Sequence, residues 1–124
     1  MNTRKIGTIY ENKSVKYLIK ENYKIITQNY YTRFGEIDII AKKNETLYLI
    51  EVKSEKNSSI STTFKINISK KKRMIKTALH YIEKNNLKDC QIIFSLIVVN
   101  DLKIEYYENI INEDFYFHDA TNKE

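Results

Sequence analysis

The chain has 124 residues, two glycines, no proline and a formal net charge of +5, where average usage at this length is about 9 glycines and about 6 prolines. The shortage excludes glycine-cradled phosphate loops, Gly-rich linkers, collagen-like repeats and Pro-rich ligand segments. A composition 42% hydrophobic and 30% charged is that of one folded domain rather than a disordered chain.

The positive charge favours phosphate-rich partners, nucleic acid first among them. Heavy use of Ile, Lys, Asn and Tyr is also what an AT-rich genome produces. The single Cys90 cannot close an internal disulfide and suits a reducing compartment. No apolar signal segment or membrane span is visible, so a cytoplasmic protein without a membrane partner is expected.

In chain order, residues 8–21 read as a helix with Val15, Leu18 and Ile19 on its apolar stripe. Residues 23–29 read as a strand. Residues 35–42 and 46–53 read as two more, joined by a hairpin turn at Lys43-Asn44-Glu45. Residues 54–65 are Ser/Thr/Lys-rich and read as an exposed loop. Ser69 is the expected cap of a helix over 70–85, with Ile75, Ala78, Leu79 and Ile82 facing the core. The apolar run 91–99 suits a strand covered on both faces, and 102–107 a further strand. The order α-β-β-β-α-β-β predicts an α/β fold, a mixed sheet with helices packed on it.

The informative residues are acids on apolar strands. A period of two puts Glu36, Asp38 and Ile40 on one face, and Leu47, Leu49, Glu51 and Lys53 on one face of the next strand. A hairpin register in which paired numbers total 89 sets Asp38 opposite Glu51 and Glu36 opposite Lys53. Carboxylates so placed repel, and burying them needs compensation. Lys53 and a divalent cation are the expected compensators, since hard cations are held by one or two carboxylates plus water and phosphate. Glu11 lies on the core-facing stripe of the first helix, so Glu11, Asp38 and Glu51 can converge. Alternatively Glu36 lies on a solvent face, and Glu11 is a charge at a helix N-terminus.

These residues carry a resemblance. Asp38 with Glu51-Val52-Lys53 across a hairpin resembles the active site of the PD-(D/E)xK, or restriction-endonuclease-like, superfamily. More narrowly, the chain is similar to the YraN-type family of small bacterial endonuclease-like proteins, related in fold to Holliday junction resolvases. Gly7, Glu11 and Tyr17-Leu18 match its first helix, with Asn22-Tyr23 where the family has G-Y. Where the family has N-x-R-x-x-x-GEIDLIA, the stretch here is Asn29-Tyr-Tyr-Thr-Arg-Phe-Gly35-Glu-Ile-Asp-Ile-Ile-Ala41. Leu47-Tyr-Leu-Ile-Glu-Val-Lys53 matches L-x-F-V-E-V-K, and Ile66-Asn-Ile-Ser-Lys70 opens the second long helix. Glu55 replaces a family arginine, which bears on DNA contact. Ser95 replaces an aspartate that would support the site.

The resemblance implies a restriction-endonuclease-like mixed sheet flanked by helices, in one nuclease-like domain over 1–118 with a frayed tail at 119–124. It implies Mg²⁺ or Mn²⁺ on Asp38, Glu51 and the Val52 carbonyl. Lys53 would act on the attacking water or the transition state, with Glu11 and Glu36 as further catalytic candidates. It implies DNA, including branched DNA, as partner, and admits a homodimer. Arg33, Lys70, Lys71, Lys72, Arg73 and Lys76 are the candidate phosphate contacts, with Lys70 and Arg73 pointing away from the core stripe. The bland alternative for them is a solvated helix face. Tyr30 and Tyr31 suit either base stacking or core packing. His80 and His118 lack the spacing of a zinc site, and no organic cofactor is expected. A non-catalytic nucleic-acid-binding protein of the same fold, or an interaction protein whose charge is a genomic by-product, are the competing readings.

Overall fold

The computed structural model of the protein describes residues 3–54, 67–87 and 89–111. The elements are α1 (Thr3–Lys20), β1 (Lys24–Thr32), β2 (Gly35–Lys43), β3 (Thr46–Ser54), α2 (Ile68–Lys84), β4 (Gln91–Val99) and β5 (Ile104–Glu108). The expected order holds. Ser54 closes β3 rather than opening the loop. The rest of that loop with Glu55, together with Ile66, His118 and the 1–118 boundary with its tail, lies outside the described residues.

The strands form one mixed sheet in chain order, β1-β2-β3-β4-β5. Only β3 and β4 run parallel, and α2 lies in the crossover that a parallel pair requires. Five mixed strands flanked by two helices are consistent with a restriction-endonuclease-like fold. Leu18 and Tyr23 pack with Ile39, Ala41, Tyr48, Ile50, Ile97 and Val99 on the α1 face. Met74, Ile75, Ala78 and Tyr81 pack with Ile40, Leu47, Leu49 and Phe94 on the α2 face. The run from Phe94 to Val99 is buried throughout because β4 is an inner strand covered on both sides. Among the described residues no helix is long and apolar enough to cross a membrane.

Three sequence expectations fail locally. Ile19 is exposed, because only Val15 and Leu18 of that stripe turn inward. Leu79 is exposed too. The buried stripe of α2 runs through Met74, Ile75, Thr77, Ala78 and Tyr81, a rotation of about one residue from the expected face. The α2 cap is Asn67, whose side chain accepts the Lys70 N–H at 2.8 Å. Ser69 lies inside the helix, where its Oγ accepts from Arg73 Nη1.

With so little glycine, asparagine and aspartate take its backbone work. Among the described residues every non-glycine with positive φ is one of these: Asn22, Asn29, Asn44, Asn86, Asp89 and Asn109. Their short polar side chains make them the best substitutes in the left-handed region. Asn22, at φ +72°, stands where the resembled family has glycine. It ends α1 in a Schellman turn, with the Tyr23 N–H on the Leu18 carbonyl at 2.9 Å and the Asn22 N–H on the Ile19 carbonyl at 3.0 Å.

Gly35 keeps a job that asparagine cannot take. It opens β2 at φ +157°, and a Cβ there would lie 3.4 Å from Arg73 Cβ and 3.5 Å from Thr77 Oγ1. The start of β2 therefore runs close under α2. A Cβ at Gly7 would meet nothing within 4 Å. Gly35→Val is expected to lose about 1–3 kcal/mol in urea unfolding by overpacking and backbone strain. Gly7→Ala is expected to be neutral or to gain up to about 1 kcal/mol as a helix substitution. Equal stability of Gly35→Val and wild type would contradict this packing.

Candidate functional site

The β2–β3 hairpin has the expected register, from Lys43↔Thr46 to Ile39↔Ile50. One more step would set Asp38 against Glu51, and there the ladder stops. The Asp38 carboxylate takes over, its Oδ2 accepting the Val52 N–H at 2.8 Å. The alternation also switches at this point. Ile37 packs in the α2 cluster with Ile40, whereas Ile39 packs in the α1 cluster. The expectation of one face for Glu36, Asp38 and Ile40 thus fails across Asp38. The departure from strand period lets Asp38 interact with groups on both helices.

Glu51, mostly buried, is the charge that acts most strongly on Asp38. Its Oε1 accepts from Lys70 Nζ at 2.9 Å. The compensating amine at Glu51 is therefore Lys70, from the first turn of α2, while Lys53 is exposed. Lys70 was expected on the outer face for phosphate contact. Its stem is long enough to reach back over the N-terminus of α2, where only the tertiary structure brings Glu51. Burial pushes the Asp38 carboxyl up to about 7, and the Glu51 charge adds to this. The Val52 N–H and Lys70 oppose it.

Glu11 comes toward this pair from α1. Burial raises its pKa, and the Asp38 and Glu36 charges raise it further. Asn29 Nδ2 donates to Glu11 Oε1 at 3.2 Å. Asn29 sits mid-strand at φ +53°, between the pairs Gln28↔Ile39 and Tyr30↔Ile37 and so level with Asp38. Its place in the N-x-R-x-x-x-GEID motif was the signal for it, but spacing alone assigned it no role. Among the described residues no three Asp, Glu, His or Cys side chains come close enough to hold a metal ion. The three acids therefore share one electrostatic neighbourhood, but only Asp38 and Glu51 form the immediate pair. Glu36 pairs with Tyr31 in the β1–β2 ladder.

The basic candidates divide. Arg33 lies over the Phe34 ring at 4.9 Å and Lys76 over the same ring at 5.9 Å, joining the β1–β2 turn to α2. Arg73 is exposed, with its stem beside Gly35 and its Nη1 donating to Ser69 Oγ. Lys72 is exposed and Lys71 half-buried. Tyr30 belongs to the core, edge-on to Tyr81 at 5.2 Å and hydrogen-bonded to His80 at 3.0 Å. Tyr31 is 71% exposed.

Ser95 is fully buried and accepts from the Tyr106 hydroxyl at 3.1 Å. It belongs to a tyrosine cluster under α1 in which Tyr106 meets Tyr17 and Tyr23 edge-on. Burial pushes the Tyr106 phenol up to about 12. Replacement of the family aspartate thus leaves a satisfied neutral pair.

The family model described as "Uncharacterised protein family UPF0102" matches residues 10–99. The chain belongs to the UPF0102 (YraN) family. A UPF0102 protein of Fusobacterium nucleatum is 39% identical over 112 residues, covering 90% of this chain and 94% of that protein. One from Campylobacter hominis is 43% identical over 107 residues, covering 86% and 93%. One from Petrotoga mobilis is 40% identical over 109 residues, covering 86% and 96%. The UPF0102 match takes in Glu11, Asn29, Asp38, Glu51, Lys53 and Lys70.

The raised Asp38 sets a pH dependence. Its ordinary pKa of 3.8 and folded pKa of about 7 mean that the folded state binds the extra proton between those values. Stability from this group is present below about pH 4 and lost as pH rises toward 7. Asp38→Asn, which keeps an oxygen for the Val52 N–H, removes the dependence. In urea unfolding with chelator, the variant is expected to match wild type near pH 4. By pH 7.5 it should exceed it by an amount on the order of a few kcal/mol. Parallel pH profiles would contradict the assignment.

Proposed function

We propose that the protein is a metal-dependent endonuclease that hydrolyses DNA phosphodiester bonds, with branched or recombination-type DNA as the candidate substrate. The observation that carries this reading is the half-buried Asp38–Glu51 pair at the parted end of β2 and β3. Two carboxylates there raise each other's cost of ionisation unless a cation joins them. The donors fit Mg²⁺ or Mn²⁺, which take oxygen ligands and leave positions for water and phosphate. Asp38, Glu51 and the Val52 carbonyl would hold the ion. When bound, it supplies polarisation of the phosphoryl group and a water of lowered pKa.

The chain's own groups do the rest. Lys70 holds the Glu51 carboxylate in position by its 2.9 Å contact. Lys53, two residues along β3, orients or deprotonates the attacking water, or neutralises charge on the transition state. Glu11, steadied by Asn29, is a further water contact. Arg33 and Lys76, gathered at Phe34, and the exposed Lys72 would bind the phosphate backbone without reading sequence.

One observation favours a second reading, a non-catalytic nucleic-acid-binding protein. Lys70 already gives Glu51 a cationic partner, so the fold has an internal counter-charge. Cleavage of linear duplex, single-stranded and four-way DNA with Mg²⁺ or Mn²⁺ separates the two. The nuclease reading expects cleavage that chelator abolishes and that Asp38→Asn or Lys53→Ala lowers by at least about 100-fold with folding intact. No cleavage of any substrate, with DNA binding indifferent to chelator and to Asp38→Asn, would establish the second reading instead.

A further inference from the structure

We propose that the groove between α1 and the β4–β5 turn binds a run of DNA backbone phosphates, a contact surface separate from that of α2. It is an open groove of about 530 Å³, lined by Lys13, Lys16 and Lys20 of α1 and Lys103 of the turn together with the apolar Tyr17, Leu102 and Ile104. The spacing puts the three helical lysines along one side of α1, over about 10 Å of its axis. That length spans about three base-pair steps of a DNA strand.

Four lysines face one aspartate among the lining residues, leaving three net positive charges. Asp101 is engaged by the Tyr10 hydroxyl at 3.1 Å and lies 3.9 Å from Lys13. Lys103 lies 3.6 Å from Glu105 at the edge. Lys16 and Lys20 join none of the ion pairs among the described residues. Their charge is therefore open to a partner.

The turn wall is pre-formed. Buried Asn100 accepts the Leu102 and Lys103 N–H groups at 2.8 and 3.0 Å, and Tyr10 ties the turn to α1. Position supplies the link to the acids. The parallel pairs Lys53↔Val98 and Ser54↔Val99 bring the β4–β5 turn out at the end of the sheet where β3 carries Glu51 and Lys53. Tyr10, which holds the turn, immediately precedes Glu11. A strand whose phosphate lies at Asp38 and Glu51 can continue along this groove. A linear array of cations that runs along α1 from the end near Glu11 to Lys20 suits a polyphosphate backbone better than a compact acidic ligand.

The proposal rests on the nucleic-acid reading of the site, and its test does not need cleavage. Full-length Lys16→Ala/Lys20→Ala/Lys103→Ala is compared with a control of equal charge loss, Lys24→Ala/Lys42→Ala/Lys84→Ala, in duplex and four-way-junction binding with chelator across a salt series. The groove variant is expected to bind about tenfold or more weaker at 0.1 M salt. Its slope of log K against log salt should fall by about 2–3, at about 0.9 per lost phosphate contact. The control should fall by less than about threefold. Equal losses in the two variants, or wild type that binds neither DNA, would overturn the groove. A groove effect without any Mg²⁺- or Mn²⁺-dependent cleavage would leave the groove standing and sink the nuclease reading.

Discussion

Asp38 and Glu51 come together where the β2–β3 ladder ends, and they repel because both are carboxylates partly shielded from water. The rest of the site is arranged around that conflict. The ladder ends at Ile39↔Ile50. The Asp38 carboxylate replaces the missing strand pairing by accepting the Val52 N–H, and Lys70 reaches from α2 to Glu51. Remaining strain appears as a raised Asp38 pKa. Such a pair is costly in a protein that needs it only for folding, and it sits where the strands part and α2 begins. A proton or a positive charge placed between the two carboxylates would relieve the same conflict.

The backbone around the pair is equally specific. Asn29 takes a left-handed conformation within a strand, level with Asp38, and its amide holds Glu11. Gly35 lets the start of β2 run close beneath Arg73 and Thr77. An ordinary hairpin needs neither feature. Together they bring α1, β1, β2 and α2 to one end of the sheet. That end also presents the Arg33–Phe34–Lys76 cluster and, through the parallel β3–β4 pair, the lysine-lined groove. The acids are thus flanked by positive charge on two sides.

Much of the fold was legible because its signals are local. Hydrophobic period separated strands from helices, and a two-residue turn at Asn44-Glu45 set the hairpin register that pairs Ile39 with Ile50. The 91–99 run marked an inner strand by its lack of polar residues. Errors fell where local signals compete. Asn67 and Ser69 are both good caps, and the chain uses the earlier one. Leu79 is as apolar as Ala78, yet a rotation of α2 by about one residue leaves it in solvent. The Lys70–Glu51 contact was not legible for another reason. The partners are distant in sequence, and helical periodicity says nothing about where a flexible amine ends.

By itself, then, the sequence determined the element order, the hairpin register up to Ile39↔Ile50, and the placement of Gly35 just before Asp38. Each follows from period, turn length or the permitted φ of a single residue. Only the tertiary structure decided which amine neutralises Glu51, that Glu11 stands beside rather than within the acid pair, and that Ser95 joins a tyrosine cluster. It also decided that lysines 13, 16, 20 and 103 share a groove. Those outcomes depend on how two helices dock on the sheet. Docking is set by the summed packing of many side chains, which no local pattern encodes.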